Sequence, residues 1–198
     1  MKKRAVFIFA FVLVIFISLY FDSEIVKGVS LIRNNLLNDF FMGMTFVSSE
    51  ITVFFFLTIL FLWKKKKFIL PLWFTFCLAV AVSFLLKVAV QRQRPFQLGL
   101  ISVLPVLEKT SYAVWNFSFP SFHTMFAFCA VPILSKEFPK FKYWWISFAI
   151  LVGFSRIYFG LHFLSDVIMG GIIGYLLGIG IIKLEEKYKF CERIIKTN

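Results

Sequence analysis

The sequence predicts an all-α integral membrane protein of six transmembrane helices, with both termini cytoplasmic and a site at the outer face. Three observations carry this. The 198-residue chain is 60% hydrophobic with 29 Phe and a mean hydropathy of +0.86, an excess of apolar surface that suits lipid better than water. Six apolar runs approach the length of about 20 residues that a membrane span needs. Fifteen of the 22 basic residues fall on one side if the runs alternate, and the positive-inside rule makes that side the cytoplasm.

Residues 1–198 read as one domain. Met1-Lys2-Lys3-Arg4 precedes the first run, Ala5–Phe21. It resembles a signal peptide, but the run is longer than a typical apolar core and no small-x-small cleavage site precedes Asp22, so a retained span is expected. Within 22–45, Ile25, Val29, Ile32, Leu36 and Phe40 recur at helical spacing, with Asp22, Lys27, Arg33 and Asn34 elsewhere on the wheel. An interfacial helix is expected there. The second span, Phe46–Trp63, ends in Lys64–Lys67, a cytoplasmic turn facing anionic headgroups. The third, Phe68–Leu86, runs into the polar cluster Lys87–Pro95. An outer segment, 96–118, mixes Leu98, Leu100, Ile101, Val103, Leu104 and Val106 with Gly99 and Pro105, and suits the headgroup layer.

The fourth span, Thr124–Ser135, is short and opens on Pro120–His123. The fifth, Tyr143–Tyr158, leads through Arg156–Asp166 into the sixth, Phe163–Ile182. Gly170, Gly174 and Gly178, with Gly171 and Gly180, give the sixth a small-xxx-small ridge for close packing inside the bundle, or alternatively for a homodimer seam. Cys77, Cys129 and Cys191 offer neither a disulfide framework nor metal-ligand spacing. The net charge of +12 is explained by topology, and no nucleic-acid partner is expected.

Of the seven bases on the outer side, four (Lys87, Arg92, Arg94 and Arg156) lie in the three polar clusters, as do both histidines of the chain. Ionisable groups at span ends are costly to place and mark function. His162 and Asp166 are four apart, so on a helix the carboxylate can hold one ring nitrogen. The other nitrogen is then free as a nucleophile, with its basicity raised by the negative neighbour. His123, at a helix start, can protonate a leaving oxygen and later activate water. Lys87, Arg94 and Arg156 supply three cations for an oxyanion. Ser121 and the N–H groups near Phe122 lie at a helix N-terminus, a natural anion site. A phosphoryl group fits best, and no metal or cofactor is required.

Lys-x6-Arg-Pro (Lys87 to Pro95), Pro-Ser-x-His (Pro120 to His123) and Ser-Arg-x5-His-x3-Asp (Ser155 to Asp166) together resemble the three-part signature of the type-2 phosphatidic acid phosphatases. Bacterial members of that family include phosphatidylglycerophosphatases and undecaprenyl-diphosphate phosphatases, and vanadium haloperoxidases share the site. The resemblance implies a compact six-span fold, a phosphohistidine at His162, orientation by Asp166, and His123 as acid then base. It also implies phosphate binding by Lys87, Arg94, Ser121 and Arg156. The expected partners are the bilayer and a membrane lipid substrate: undecaprenyl diphosphate, phosphatidylglycerol phosphate or phosphatidic acid. One departure is Phe122, where the family usually has Gly. Its N–H remains for the phosphate, but a ring is expected beside it, with a cost if the backbone angle is one that suits Gly. The alternative reading is a catalytically impaired member that binds or transports a lipid phosphate.

Overall fold

The computed structural model describes residues 2–64, 66–102 and 116–189. Val103, Leu104, Pro105, Val106, Lys109, Cys191, Arg193 and Lys196 lie outside the described residues. Among those described, seven α-helices follow in order: α1 (Lys2–Ser30), α2 (Asn35–Val47), α3 (Glu50–Lys64), α4 (Ile69–Val90), α5 (Phe122–Glu137), α6 (Lys142–Tyr158) and α7 (Leu164–Tyr188). The protein is an all-α membrane protein. Among the described residues α4 and α7 are long and apolar enough to cross a bilayer, and the pair α2–α3, bent by 57°, is a third candidate.

The helix bounds refine the expected spans. The first helix does not stop at Phe21 but continues to Ser30, so Asp22, Ile25 and Val29 belong to α1 and not to a separate interfacial helix. Only the second half of that expected helix forms its own element: the Asn34 side chain accepts from Leu37 N at 2.9 Å and starts α2. The second run is interrupted at Ser48–Ser49, where Ser49 Oγ accepts from Thr52 N at 3.2 Å, leaving α3 only 15 residues long. The fourth and fifth runs form helices of 16 and 17 residues, about 24–26 Å at 1.5 Å per residue. The sixth extends past Ile182 to Tyr188.

The apolar surface divides as a lipid-solvated bundle requires. Phe55, Phe56, Ile59 and Trp63 of α3 face outward, while Leu57 and Phe61 pack with Leu72 and Phe76 of α4 and Met125, Phe126 and Cys129 of α5. The Phe76 and Phe126 rings stack at 3.9 Å.

The most extensive helix pair is α5 with α7, and glycine explains it. Cβ atoms added at Gly170, Gly174 and Gly178 would lie 2.5, 2.2 and 2.4 Å from the carbonyl oxygens of Ser121, Met125 and Cys129. Backbone therefore lies on backbone, and the ridge is buried inside the bundle, not exposed as a homodimer seam. This contact brings the start of α5 against the start of α7, where Ser121 N donates to Asp166 O at 3.1 Å.

Candidate active site

The loop between α6 and α7 folds back on the end of α6: Leu161 N and His162 N both donate to Arg156 O, at 3.0 and 3.3 Å. Gly160 makes the turn with φ +70° and no room for a Cβ, which would strike the Ile101 side chain. His162 is thereby buried at 3% exposure. Its Nδ1 lies 2.7 Å from Ser118 O. A carbonyl can only accept, so Nδ1 carries the proton and Nε2 keeps its lone pair.

This differs from the sequence expectation for Asp166. Its Oδ2 is 4.0 Å from His162 Nδ1 and accepts instead from Ser118 Oγ at 2.5 Å and Phe163 N at 2.9 Å. Asp166 is at the first turn of α7, where its carboxylate caps an unpaired N–H. His162 precedes the helix, so the i,i+4 geometry of a continuous helix does not hold. Asp166 acts on the imidazole through Ser118 and through its charge.

Behind Asp166 lies a second layer formed by Arg92, Ser165 and Asp22. Arg92 Nη1 donates to Asp166 Oδ1 and to Ser165 Oγ, both at 2.7 Å, and Nη2 donates to Asp22 Oδ2 at 2.7 Å. Its guanidinium lies 4.1 Å from the Phe163 ring centroid. Asp22 also accepts from Ser165 N at 2.9 Å and from Ser165 Oγ. Two buried carboxylates thus share one Arg, and α1 is tied to the start of α7.

The cations come from three elements. Lys87, at the end of α4, donates to Phe117 O. Arg94 Nε donates to Asn116 O at 2.9 Å, and Nη1 reaches Leu161 O at 3.5 Å. Arg156, 1% exposed, donates to Ser155 Oγ at 2.9 and 3.0 Å and to Thr45 Oγ1 of α2. Helix α2 is held there by Tyr158, whose hydroxyl donates to Asn38 Oδ1 at 2.8 Å. Burial lowers the Arg94 pKa to about 10, against the opposing charge of Asp166. Burial first, then Arg94, Lys87, Arg156 and His123, hold the His162 imidazole well below the ordinary His range. The expectation that Asp166 raises its basicity is therefore overturned, because burial and then the cations outweigh the carboxylate. His162 is a neutral imidazole with one free nitrogen.

His123, on the first turn of α5, has Nδ1 3.2 Å from Glu50 Oε1. Ser121 is the fully buried N-cap residue of α5, its hydroxyl 2.9 Å from Thr124 Oγ1. Phe122 starts α5 in ordinary helical geometry: among the described non-glycine residues, only Gln91 and Lys189 have positive φ. Its ring packs against the α4–α5 core, 5.6 Å from the Phe126 ring. The expected backbone cost at Phe122 is therefore absent.

All eight residues singled out in the sequence thus come to one end of the bundle. Sequence reasoning missed Ser118, Asp22, Glu50 and Thr45, and gave Arg92 no separate role. The weak signals were Asp22, an acid directly after an apolar run, and the Arg92/Arg94 doublet. Chemically, a neutral imidazole stands under the charge of three cations, with a second imidazole nearby, an arrangement able to accept a phosphoryl group.

Comparison with known proteins agrees. Residues 68–189 match the PAP2 superfamily model. Phosphatidylglycerophosphatase B of Bacillus subtilis (strain 168) is 30% identical over 183 aligned residues, covering 85% of each chain. A crystal structure described as the first transmembrane PAP2 type phosphatidylglycerolphosphate phosphatase from Bacillus subtilis matches with TM-score 0.72 and 27% identity over 93% of this chain and 97% of that one. The structure of Aquifex aeolicus LpxE matches with TM-score 0.66 and 29% identity, over 81% and 93%. From its three motifs, its fold and these relatives, the chain belongs to the PAP2 superfamily.

Proposed function

We propose that this chain is a metal-independent lipid phosphatase that acts on phosphatidylglycerol phosphate, with undecaprenyl diphosphate and phosphatidic acid as the substrates to compare. The observation that carries the reading is His162: buried and neutral, with Nδ1 tied to Ser118 O so that Nε2 keeps its lone pair, and under the charges of Lys87, Arg94 and Arg156. Nε2 attacks phosphorus in line. The P–O bond to the lipid breaks as His123 gives the departing oxygen a proton. Water then attacks phosphorus, the P–N bond breaks, and His123 takes the water proton. The three cations, Ser121 and the Phe122 N–H hold the phosphoryl oxygens throughout, and Asp166 offsets the charge that develops on His162.

The helices form a single domain of six membrane-crossing segments in a bacterial plasma membrane, with the site on the outer side, as the distribution of basic residues supports. The relatives' descriptions favour phosphatidylglycerol phosphate. The non-catalytic alternative loses its main support, since Phe122 is unstrained and its ring has an apolar contact.

Phosphate release by the purified protein over a panel of these three lipids, with and without EDTA, tests the reading. Release is expected in EDTA and is expected to vanish in His162→Ala. No release from any of the three would end the phosphatase reading, and loss in EDTA would end the metal-independent mechanism.

A further inference from the structure

Glu50 is an acid that the three sequence motifs do not include, yet it touches the site. It is the first residue of α3, directly after the Ser48–Ser49 break, where a helix N-terminus favours a negative charge. Ser49 pins that turn through Thr52. Glu50 Oε1 is 3.2 Å from His123 Nδ1. Its charge also acts on Arg156.

Exposure separates this pair from the most deeply buried members of the site. Lys87, Ser121, Arg156, His162 and Asp166 are at most 3% exposed, whereas the side chains of His123 and Glu50 are 27% and 33% exposed. His123 and Glu50 thus stand in a part of the site open to water. The charged groups facing His123 are Glu50 on α3, Lys87 on α4, Arg94 in the following loop and Arg156 on α6. Glu50 is the one acid among them, and its Oε1 stands at His123 Nδ1.

We propose that Glu50 is a positioning residue for proton transfer, accepting the Nδ1–H of His123 so that Nε2 is presented to the phosphoryl group. This rests on the reading of His162 as the phosphorylated residue. In the second step, water oxygen bonds to phosphorus as the P–N bond to His162 breaks, and the water proton passes to His123 Nε2. The resulting imidazolium is stabilised by the Glu50 carboxylate, and its proton serves the leaving oxygen of the next turnover. Loss of Glu50 should slow this hydrolysis most.

The test uses the full chain in detergent with a 32P-labelled aryl phosphate, whose phenolate leaves without needing a proton. Phosphoenzyme quenched in alkaline detergent, where the P–N bond survives, is counted at steady state, with His162→Ala as blank. Glu50→Gln should lower kcat about 10- to 100-fold, a part of the 10²–10⁴ that a general base supplies. It should raise the phosphoenzyme fraction several-fold and lower KM along with kcat, leaving kcat/KM within about twofold because that ratio is set by the phosphorylation step, and Glu50→Asp should recover part of the rate. An unchanged phosphoenzyme fraction, or a change in KM alone, overturns the role and points to support of Arg156 instead. Absence of labelled wild-type protein would overturn the phosphohistidine reading itself. If Glu50→Gln does not fold, Glu50→Asp carries the test, expected to show the same partition at smaller amplitude and to overturn the role if it shows none.

Discussion

Replacing Asp166 by Asn removes a charge while keeping the side chain's shape and one acceptor oxygen. Because Ser118 O, not Asp166, holds His162 Nδ1, the imidazole should keep its tautomer and direction. What is lost is electrostatic: as the P–N bond forms, His162 becomes cationic, and the carboxylate lies 4.0 Å from Nδ1. At an effective dielectric of about 20, that interaction amounts to about 4 kcal/mol. Arg92, bound to the same carboxylate at 2.7 Å, offsets part of it. A net 2–4 kcal/mol corresponds to a fall in kcat of roughly 30- to 1,000-fold, with KM nearly constant because the term appears only as charge develops. Rapid-quench measurement of phosphoenzyme formation reads this step directly, and the trapped phosphate should still be on Nε2. A loss below threefold, an effect confined to KM, or phosphate found on Nδ1 would refute the assignment of orientation to Ser118 and charge to Asp166.

Other outcomes follow from the same geometry. Gly174→Ala places a Cβ 2.2 Å from Met125 O and must separate α5 from α7; a loss of about 1–3 kcal/mol is expected. Gly180→Ala, with nothing within 4 Å, should leave the thermal midpoint in detergent unchanged, and equal effects at the two positions would contradict the packing argument. The pH profile should show that His162 is active when neutral and that its pKa lies below the ordinary value of about 6.5. Its limb of kcat/KM should therefore fall only as pH drops below that value. In the unfolded chain His162 binds its proton at the ordinary value, so its contribution to stability is full above about 6.5 and is lost as pH falls through the lower folded value; an acid limb above pH 7 assigned to His162 would contradict the burial. Phe122→Gly should lower stability by roughly 1–3 kcal/mol through loss of a half-buried ring and change turnover by less than about threefold. A large gain in turnover would mean that the ring obstructs the phosphate.

The limits of sequence reading are local in origin. Hydropathy is a property of consecutive residues, so the apolar runs were visible without a fold, and Tyr143–Tyr158 differs from α6 by one residue. Breaks were harder to see. The start of α2 after Asn34 and the bend at Ser48–Ser49 depend on caps worth about 1 kcal/mol, small beside the apolar pattern surrounding them.

By itself, the sequence determined the chemical inventory: two histidines, Asp166, Lys87, Arg94, Arg156 and Ser121 in motifs whose alternation along the chain sends them to one end of a helical bundle. Only the tertiary structure decided who holds whom. Ser118 reaches His162 across 44 residues, Asp22 reaches Ser165 across 143, and Thr45 reaches Arg156 across 111. Such pairs depend on distances between helices, set by contacts such as Gly174 on Met125 O. A backbone carbonyl is present at every position, so a role like that of Ser118 O leaves no mark in sequence. The same packing turned a histidine expected to be made basic by its carboxylate into one kept neutral by burial and its surrounding cations.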